Sequence, residues 1–293
     1  MSTVSTTSGS TTTGADATSR ASRKHIPALD GVRGLGVLMV VIYHSSHVPS
    51  GDLLLQAFAL VRSMLWIGVD LFFVLSGFLI TRILISTHDS PQYFRSFYVR
   101  RTVRIFPLYY GVLFALFVGL PAMAWIVGGP IAELTASGAY RQLAEHQVWL
   151  WTYLQNFFQA RGPTGQPGAG LPGLGHFWSL AIEEQFYLVW PAMIWLVARG
   201  ENLTRRIAML CCVIVTATLA IRSGLVISGA EPWAIFHWTF TRCDALAWGA
   251  LAAALVSDAQ FRVERRRWLQ GALAIAMAGW LVCGVLAGGW GKL

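Results

Sequence analysis

Long apolar runs restrict this chain to one class of structure. A run of about 20 apolar residues spans the hydrocarbon core of a bilayer as a helix, because a helix satisfies its own backbone hydrogen bonds there. Runs of this kind occupy residues 29–48, 64–85, 105–127, 177–198, 207–227, 233–256 and 268–289. We therefore predict an all-α, polytopic transmembrane helix bundle with seven or eight membrane segments.

Two shorter stretches lie between the third and fourth runs. Residues 148–158 are rich in aromatic side chains but too few to cross a bilayer, which predicts an interfacial or re-entrant segment. Residues 161–175 contain six Gly and three Pro, a composition typical of a flexible connector. The alternative for this second stretch is a lid over a neighbouring site.

Composition agrees with a membrane protein and excludes other classes. Of the 293 residues 55% are hydrophobic and 12% are charged, against about 25% charged in soluble domains. The net charge of +8 comes mainly from arginines that lie between apolar runs, so we expect no nucleic-acid partner. The cysteines show no metal-ligand spacing, which predicts packing residues and no metal site. They are Cys211, Cys212, Cys243 and Cys283.

The distribution of Lys and Arg predicts the direction of insertion. If residues 1–24 are cytoplasmic, sixteen of the 22 Lys and Arg residues lie on the cytoplasmic side. Cytoplasmic loops carry such an excess, so we predict a multi-pass protein of the inner (plasma) membrane with a cytoplasmic N-terminus. Residues 1–24 are rich in Ser, Thr and Gly, which predicts a disordered tail before a membrane-embedded domain, 25–293.

The first apolar run carries ionisable residues on one helix face. Asp30 and Arg33 are three residues apart, and His44 follows Arg33 by eleven residues, or about 16 Å along a helix. Ionisable groups inside a bilayer are costly unless they are paired or face a polar cavity, so they are functional candidates. The structural alternative makes Asp30 and Arg33 interfacial residues and His44 a packing histidine. A neutral imidazole can accept the proton of an attacking hydroxyl, which favours a catalytic role for His44.

The second run contains one acid and one pair of small residues. Asp70 requires a cationic or hydrogen-bonding partner inside the membrane, and either Arg33 or Arg242 could provide it. Ser76 and Gly77 are small, which predicts close packing against another helix.

Arginines precede the third run at Arg100, Arg101 and Arg104. They suit a cytoplasmic anchor, because Lys and Arg collect there. They also suit a site for the phosphates of an acyl donor, because a guanidinium binds phosphate with two hydrogen bonds. The two interpretations are compatible.

The fourth run begins with adjacent acids, which a purely structural helix does not require. Ser179, Glu183 and Tyr187 are spaced by four and share a face, whereas Glu184 lies about 100° away. Acids near a helix N-terminus gain from its dipole, but we expect a functional role here.

Two further polar pairs have weaker signals. Arg242 and Asp244 are two residues apart and do not face each other on a helix, so each pairs elsewhere or the backbone is irregular. We favour a structural ion-pair network for them. His47 and Asp52 fit the HxxxxD pattern of soluble glycerolipid acyltransferases, but two residue types at one spacing often occur by chance.

Taken in order, five motifs resemble the acyltransferase-3 family of integral membrane O-acyltransferases. They are LDGVRG with an Arg-x10-His spacing, GVDLFFVLSGFLI, RRTVRIFPLYY, FWSLAIEEQFYLVWP and RCDALAWG. The resemblance covers residues 26–249. It implies transfer of an acyl group such as acetyl from a cytoplasmic acyl-CoA to a hydroxyl of a carbohydrate, lipid-linked glycan or antibiotic. No permanently bound cofactor is implied, and acetyl-CoA is a co-substrate.

The resemblance also implies roles for particular residues. Arg33 and His44 match the catalytic Arg and His of the family, and Glu183 matches the acid of its WSL motif. The basic motif that is expected to bind the donor matches Arg100, Arg101 and Arg104. About ten spans would be expected of the family, and the chain ends two or three short, which predicts a fragment.

Three hypotheses follow from these residues. In the first, an enzyme uses His44 as general base, Glu183 to orient or charge its partner and Arg33 to stabilise the donor or the developing oxyanion. In the second, a transporter or flippase uses the same charges along a substrate path. In the third, the chain is a binding or assembly subunit without catalytic activity.

Overall fold

The computed structural model describes residues 27–45, 53–161, 171–199 and 202–257, and these residues form helices joined by short turns without any β-strand. The all-α prediction is therefore confirmed for them. In chain order the α-helices are α1 (Pro27–Ser45), α2 (Leu53–Met64), α3 (Ile67–Thr87), α4 (Tyr93–Phe114), α5 (Leu120–Val127), α6 (Gly129–Ala136), α7 (Gly138–Glu145), α8 (Gln147–Trp151), α9 (Gln155–Ala160), α10 (Trp178–Val197), α11 (Leu203–Ile227), α12 (Pro232–His237) and α13 (Cys243–Ser257). A π-helical turn, Ala115–Gly119, joins α4 to α5.

Four helical segments within the described residues are long and apolar enough to cross a membrane. They are Ile67–Thr87, Tyr93–Val127, Gly175–Val197 and Leu203–Ile227. They correspond to the second, third, fourth and fifth predicted runs. Helix α1 has 19 residues but is not among the four, since Asp30, Arg33 and His44 interrupt its apolar character. The predicted count of seven or eight segments is therefore not confirmed.

The predicted sixth run, 233–256, is not one helix. It consists of α12, a 3-10 turn at Thr239–Thr241 and α13. The hydroxyl of Thr241 donates to the carbonyls of Ile235 and Trp238, both at 2.7 Å. Such bonds compete with the regular helical pattern. The irregular backbone considered for the Arg242 and Asp244 pair is thus found just before Arg242.

Several predictions lie outside the described residues: the tail 1–24, the apolar run 268–289, and the His47 and Asp52 pattern. The aromatic stretch 148–158 falls within α8 and α9, two short helices separated by a turn in which Tyr153 has φ 54°. It does not form one helix long enough to cross a bilayer, as predicted.

Helix α3 lies at the centre of the bundle, where it contacts α1, α10 and α13. Its closest neighbour is α13. A Cβ added to Gly77 would collide with the backbone oxygen of Leu246, and one added to Gly249 would collide with that of Val74. Small residues permit this approach of two backbones. The prediction that Gly77 is a packing residue is confirmed.

Helices α4 and α10 run antiparallel and are joined by tyrosine hydroxyls. Tyr93 donates to the carbonyl of Pro191 at 3.0 Å, and Tyr98 donates to that of Leu188 at 2.8 Å. At the other end of α10, the rings of Tyr109 and Phe177 are 5.6 Å apart. The first half of α4, which carries the arginines, therefore lies beside the last half of α10.

The contact between α3 and α13 can be tested with a single methyl group. Gly77→Ala should lower the free energy of unfolding by about 1–3 kcal/mol, because the added Cβ overfills a contact between backbones. Gly111→Ala is the control, since its Cβ would meet nothing within 4 Å and Ala favours a helix. Thermal unfolding in one detergent compares the two variants. Equal midpoints would contradict the structural role assigned to Gly77.

Candidate active site

A cavity of about 630 Å³ opens between the ends of several helices. Its walls come from α1, α3, α10 and α12 on one side and from the α7 to α9 segment on the other. Its lining includes His44, Trp66, Phe73, Gln142, His146, Phe158, Gln159, Arg161, Leu171, Gly175, His176, Trp178, Ser179, Glu183, Trp233, Phe236 and His237. Both described ends of the Gly- and Pro-rich stretch, at Arg161 and at Leu171 to Gly175, belong to it. For that stretch, both the flexible connector and its alternative, a lid, stay predictions.

His44 lies at the end of α1 on the cavity wall. Its Nδ1 is 2.9 Å from the carbonyl oxygen of Val40. A carbonyl can only accept, so this contact is a hydrogen bond when Nδ1 carries the proton. The Nε2 lone pair is then left to accept a proton from another group, which is the chemical state that a general base requires.

His176 faces His44 across a short gap, with ring centroids 6.1 Å apart. It lies in the 3-10 turn Gly175–Phe177, immediately before α10, and lines the same cavity. Sequence reasoning assigned it no role. The available signal was its position immediately before the FWSLAIEEQFYLVWP motif, which contains Ser179 and Glu183. The structure thus places a further imidazole beside His44 in the candidate site.

Glu183 reaches the cavity from α10, and both of its oxygens accept hydrogen bonds. Ser76 of α3 donates to Oε1 at 3.1 Å, and Tyr187 donates to Oε2 at 2.8 Å. The guanidinium of Arg101 lies 4.5 Å from the centre of the Tyr187 ring. Ser76, predicted as a packing residue, therefore also fixes the carboxylate. The contacts form a continuous polar connection from Arg101 to the cavity.

The predicted stripe on α10 is found, and it separates the two acids. Ser179 and Glu183 line the cavity, and Tyr187 lies one turn further. The hydroxyl of Ser179 donates to the carbonyl of His176 at 3.2 Å. Glu184 is not in the lining; it interacts electrostatically with Tyr109 and Tyr153 on another side of α10. Its Oε1 is buried and has no hydrogen-bond partner among the described residues.

The remaining predicted cations lie away from the cavity lining. Arg33 is 3.9 Å from Asp30 and close enough to Glu183 for an electrostatic interaction. Arg100 is exposed and donates to Ser96 at 3.2 Å, and Arg104 is exposed further along α4. Arg100 and Arg104 lie on α4, beside the half of α10 that is remote from His176.

Asp70 pairs with Arg242 and not with Arg33. The carboxylate of Asp70 is 2.5 Å from the guanidinium, and Arg242 is only 9% exposed. Rings of four aromatic residues surround that guanidinium, with centroids between 5.1 and 6.0 Å from its central carbon. They belong to Trp66, Phe73, Trp178 and Phe236.

Asp244 pairs separately with Arg222 at 2.6 Å. Arg222 also donates to the carbonyl of Thr241 at 2.7 Å. Arg242 and Asp244 therefore have different partners, on α3 and α11 respectively. The predicted ion-pair network is found in this form.

In the described part of the chain, no group of three or more His, Cys, Asp or Glu side chains is arranged to hold a metal ion. The cavity offers imidazole nitrogens, one carboxylate and one guanidinium. Together with the polar connection to Arg101, these groups suit transfer of a proton and binding of a substrate with several oxygens.

Comparison with known proteins identifies the family. Residues 26–291 match the acyltransferase domain that defines it. The chain belongs to the acyltransferase-3 family. The match extends past the region that carries the five motifs, and it includes every residue that lines the cavity.

Curated proteins that are similar to this chain are named as O-acetyltransferases. Over 236 residues the chain is 31% identical to YrhL of Bacillus subtilis, provisionally named a peptidoglycan O-acetyltransferase; 78% of the chain and 33% of YrhL are covered. It is 30% identical to the peptidoglycan O-acetyltransferase OatA of Listeria monocytogenes, with 80% and 35% covered. It is 32% identical to the O-acetyltransferase OatA of Staphylococcus aureus, with 59% and 25% covered.

The chain therefore spans about a third of the first two relatives and a quarter of the third. No solved structure matches it.

The Asp70 and Arg242 pair can be tested by removing one charge. Asp70→Asn should lower the free energy of unfolding by about 3–5 kcal/mol, because it leaves a buried guanidinium without a counter-charge. Replacing both residues, as in Asp70→Leu with Arg242→Met, should recover part of the loss. Asp89→Asn is the matched control, since the Asp89 side chain is 88% exposed. Thermal unfolding of the purified variants measures these effects; similar midpoints for Asp70→Asn and Asp89→Asn would contradict the assignment.

Proposed function

We propose that this chain transfers an acetyl group from acetyl-CoA to a hydroxyl of peptidoglycan or a closely similar carbohydrate. The observation that carries the proposal is the meeting of His44 and Glu183 at one cavity, with the Nε2 of His44 available to accept a proton. The family supports the reaction class, and the names of the relatives support the acceptor. Lipid-linked glycans and antibiotics stay possible acceptors of the same chemistry.

In the proposed reaction, the acceptor oxygen attacks the carbonyl carbon of the thioester. Nε2 of His44 takes the hydroxyl proton as the new C–O bond forms. The C–S bond then breaks, and CoA leaves as a thiolate that receives the proton taken up by His44, which restores the neutral imidazole. Glu183 keeps a fixed position through Ser76 and Tyr187, so its negative charge can stabilise a protonated imidazole in the same cavity.

We assign the donor to the end of the protein that carries the arginines. Arg100, Arg101 and Arg104 are suited to the phosphates of CoA, and Arg101 adjoins the polar connection that reaches Glu183. Arg33 is about 16 Å along α1 from His44. Because a guanidinium so far away does not reach the same carbonyl oxygen, we prefer a role for Arg33 at the donor to one at the oxyanion.

This arrangement agrees with a cytoplasmic N-terminus in the plasma membrane. Acetyl-CoA is a cytoplasmic metabolite, and the arginine excess favours placing Arg100 to Arg104 on the cytoplasmic side. His44 and His176 would then lie deeper or toward the outer side. A carbohydrate acceptor would enter from there, between the aromatic side chains of Trp66, Trp178 and Trp233.

The base can be tested by measuring CoA release in membranes that contain the protein. His44→Ala should reduce acceptor-dependent release by roughly 10²–10⁴-fold, as expected when a general base is removed. His88→Ala is the control, because His88 also bonds a helix carbonyl, that of Ile85 in the preceding helix α3 at 2.8 Å, but lies outside the cavity lining. Both variants should insert normally.

Full activity of His44→Ala would disprove the role as base. Specific binding of a carbohydrate with no loss of acetyl-CoA for any acceptor would favour a transporter or a non-catalytic subunit instead.

The two acids of α10 can be separated in the same assay. Glu183→Gln should lower kcat strongly, because it removes the charge that Ser76 and Tyr187 hold at the cavity. Glu184→Gln should have a much smaller effect on kcat, since Glu184 lies outside the lining. Normal kcat for Glu183→Gln, or an equal loss for both variants, would contradict the assignment.

A further inference from the structure

The side of the cavity that is built from α7 to α9 has no part in the proposed proton transfer. It carries Gln142, His146, Gln159 and Arg161, contributed by the end of α7, the turn after it and the end of α9. His146 packs against Phe158 with ring centroids 4.4 Å apart, which brings the two ends together. This polar surface faces the same space as His44 and Glu183.

Gln159 has an unused hydrogen-bond donor on this surface. Its side chain is 8% exposed, and its Nε2 atom is buried without a hydrogen-bond partner among the described residues. Buried polar groups in proteins nearly always have a partner, and an exception needs an explanation. Because Gln159 lines the cavity, a ligand oxygen becomes a suitable partner for its amide when the side chain turns toward the cavity.

Arg161 supplies a positive charge to the same surface. Among the described lining residues, it is the single Arg or Lys, and Glu183 is the single acid. Its guanidinium lies 4.9 Å from the centre of the Trp149 ring, a cation–π contact that holds it in place. Arg161 therefore adds a charged donor to the cavity lining that also contains Gln159.

We infer that Gln159 and Arg161 form a subsite for an anionic oxygen group on the acceptor, either a carboxylate or a phosphate. Both groups accept the kind of hydrogen bonds that guanidinium and amide donors provide. The cavity volume of about 630 Å³ lies in the range that accommodates a drug-sized ligand. It can hold a sugar that carries an anion at this subsite while its hydroxyl points toward His44. The inference rests on the proposed acetyl transfer and specifies which acceptors it favours.

Matched acceptors and variants test the subsite. Soluble peptidoglycan fragments with a free carboxylate are compared with their uncharged methyl esters and with sugar phosphates, by CoA release at saturating acetyl-CoA. Arg161→Gln should raise KM for the carboxylate or the phosphate acceptor by about tenfold or more and leave the ester unchanged. For Arg161→Lys, KM for the anionic acceptor should lie between the values of the wild type and of Arg161→Gln. The acceptor class with the larger change identifies the anion.

Arg141→Gln is the matched control, because Arg141 is exposed on α7 and absent from the lining. It removes the same charge nearby and should leave every KM unchanged. Gln159→Met keeps the size of the side chain but removes the amide. It should raise KM for the acidic acceptor and so reduce the preference of the protein for this acceptor over the ester.

Three results would overturn the subsite. Arg161→Gln could raise KM equally for acid and ester, it could do no more than Arg141→Gln, or it could raise KM for acetyl-CoA instead, which would make this a donor site. If no acceptor supports CoA release, the proposed reaction fails, but the subsite is still tested by binding. Tryptophans in the lining, such as Trp178 and Trp233, allow fluorescence titration with the carboxylate fragment. Equal binding by wild type and Arg161→Gln would then reject it.

Discussion

The ion pair between Asp70 and Arg242 joins the parts of the protein on which the cavity depends. Asp70 is on the central helix α3, and Arg242 follows the turn that breaks the chain between α12 and α13. A charge in an apolar interior is stable only with a counter-charge and good geometry, so the pair fixes that turn against α3. Trp66, Trp178 and Phe236 surround the guanidinium and also form walls of the cavity. Their positions are consequently tied to one electrostatic contact.

The break between α12 and α13 is stabilised by polar side chains from other helices. Asn156 donates to the carbonyl of His237 at 3.1 Å and to the hydroxyl of Thr239 at 2.9 Å. Gln185 of α10 bonds to the same asparagine at 2.9 Å. The backbone carbonyl of His237 therefore finds a partner on α9, and Gln185 of α10 fixes that partner, as a non-helical segment in a membrane protein requires. The break in turn allows Arg242 and Asp244 to point toward different helices.

Sequence reasoning predicted the helical class and the positions of several helices better than the arrangement of the side chains between them. The helices α3, α4, α10 and α11 could be predicted because the length and hydrophobicity of an apolar run are enough to identify a helix that can cross a membrane. The break at Thr239 could not be predicted, since it depends on Asn156 and Gln185, which are distant from it in the chain.

Similar limits applied at the site itself. The spacing of Ser179, Glu183 and Tyr187 correctly predicted one stripe, because helical periodicity is local. The choice of Arg242 over Arg33 as partner for Asp70 could not be made, and neither His176 nor Arg161 stood out. The proximity of His176 to His44, and the presence of Arg161 in the lining of the same cavity, exist only after helices from separate parts of the chain pack together.

The direction of α10 gives the proposed reaction its asymmetry. At the first turn of this helix lie Ser179 and the preceding His176, beside His44, and about two turns later lies Tyr187 beside Arg101. Glu183 stands between them, hydrogen-bonded toward the arginine end and open to the cavity. A donor with phosphates and an acceptor with hydroxyls would then approach from opposite ends and meet near this carboxylate. Since neither substrate has to pass the binding region of the other, one rigid helix can organise a reaction between a cytoplasmic donor and an acceptor from the other side.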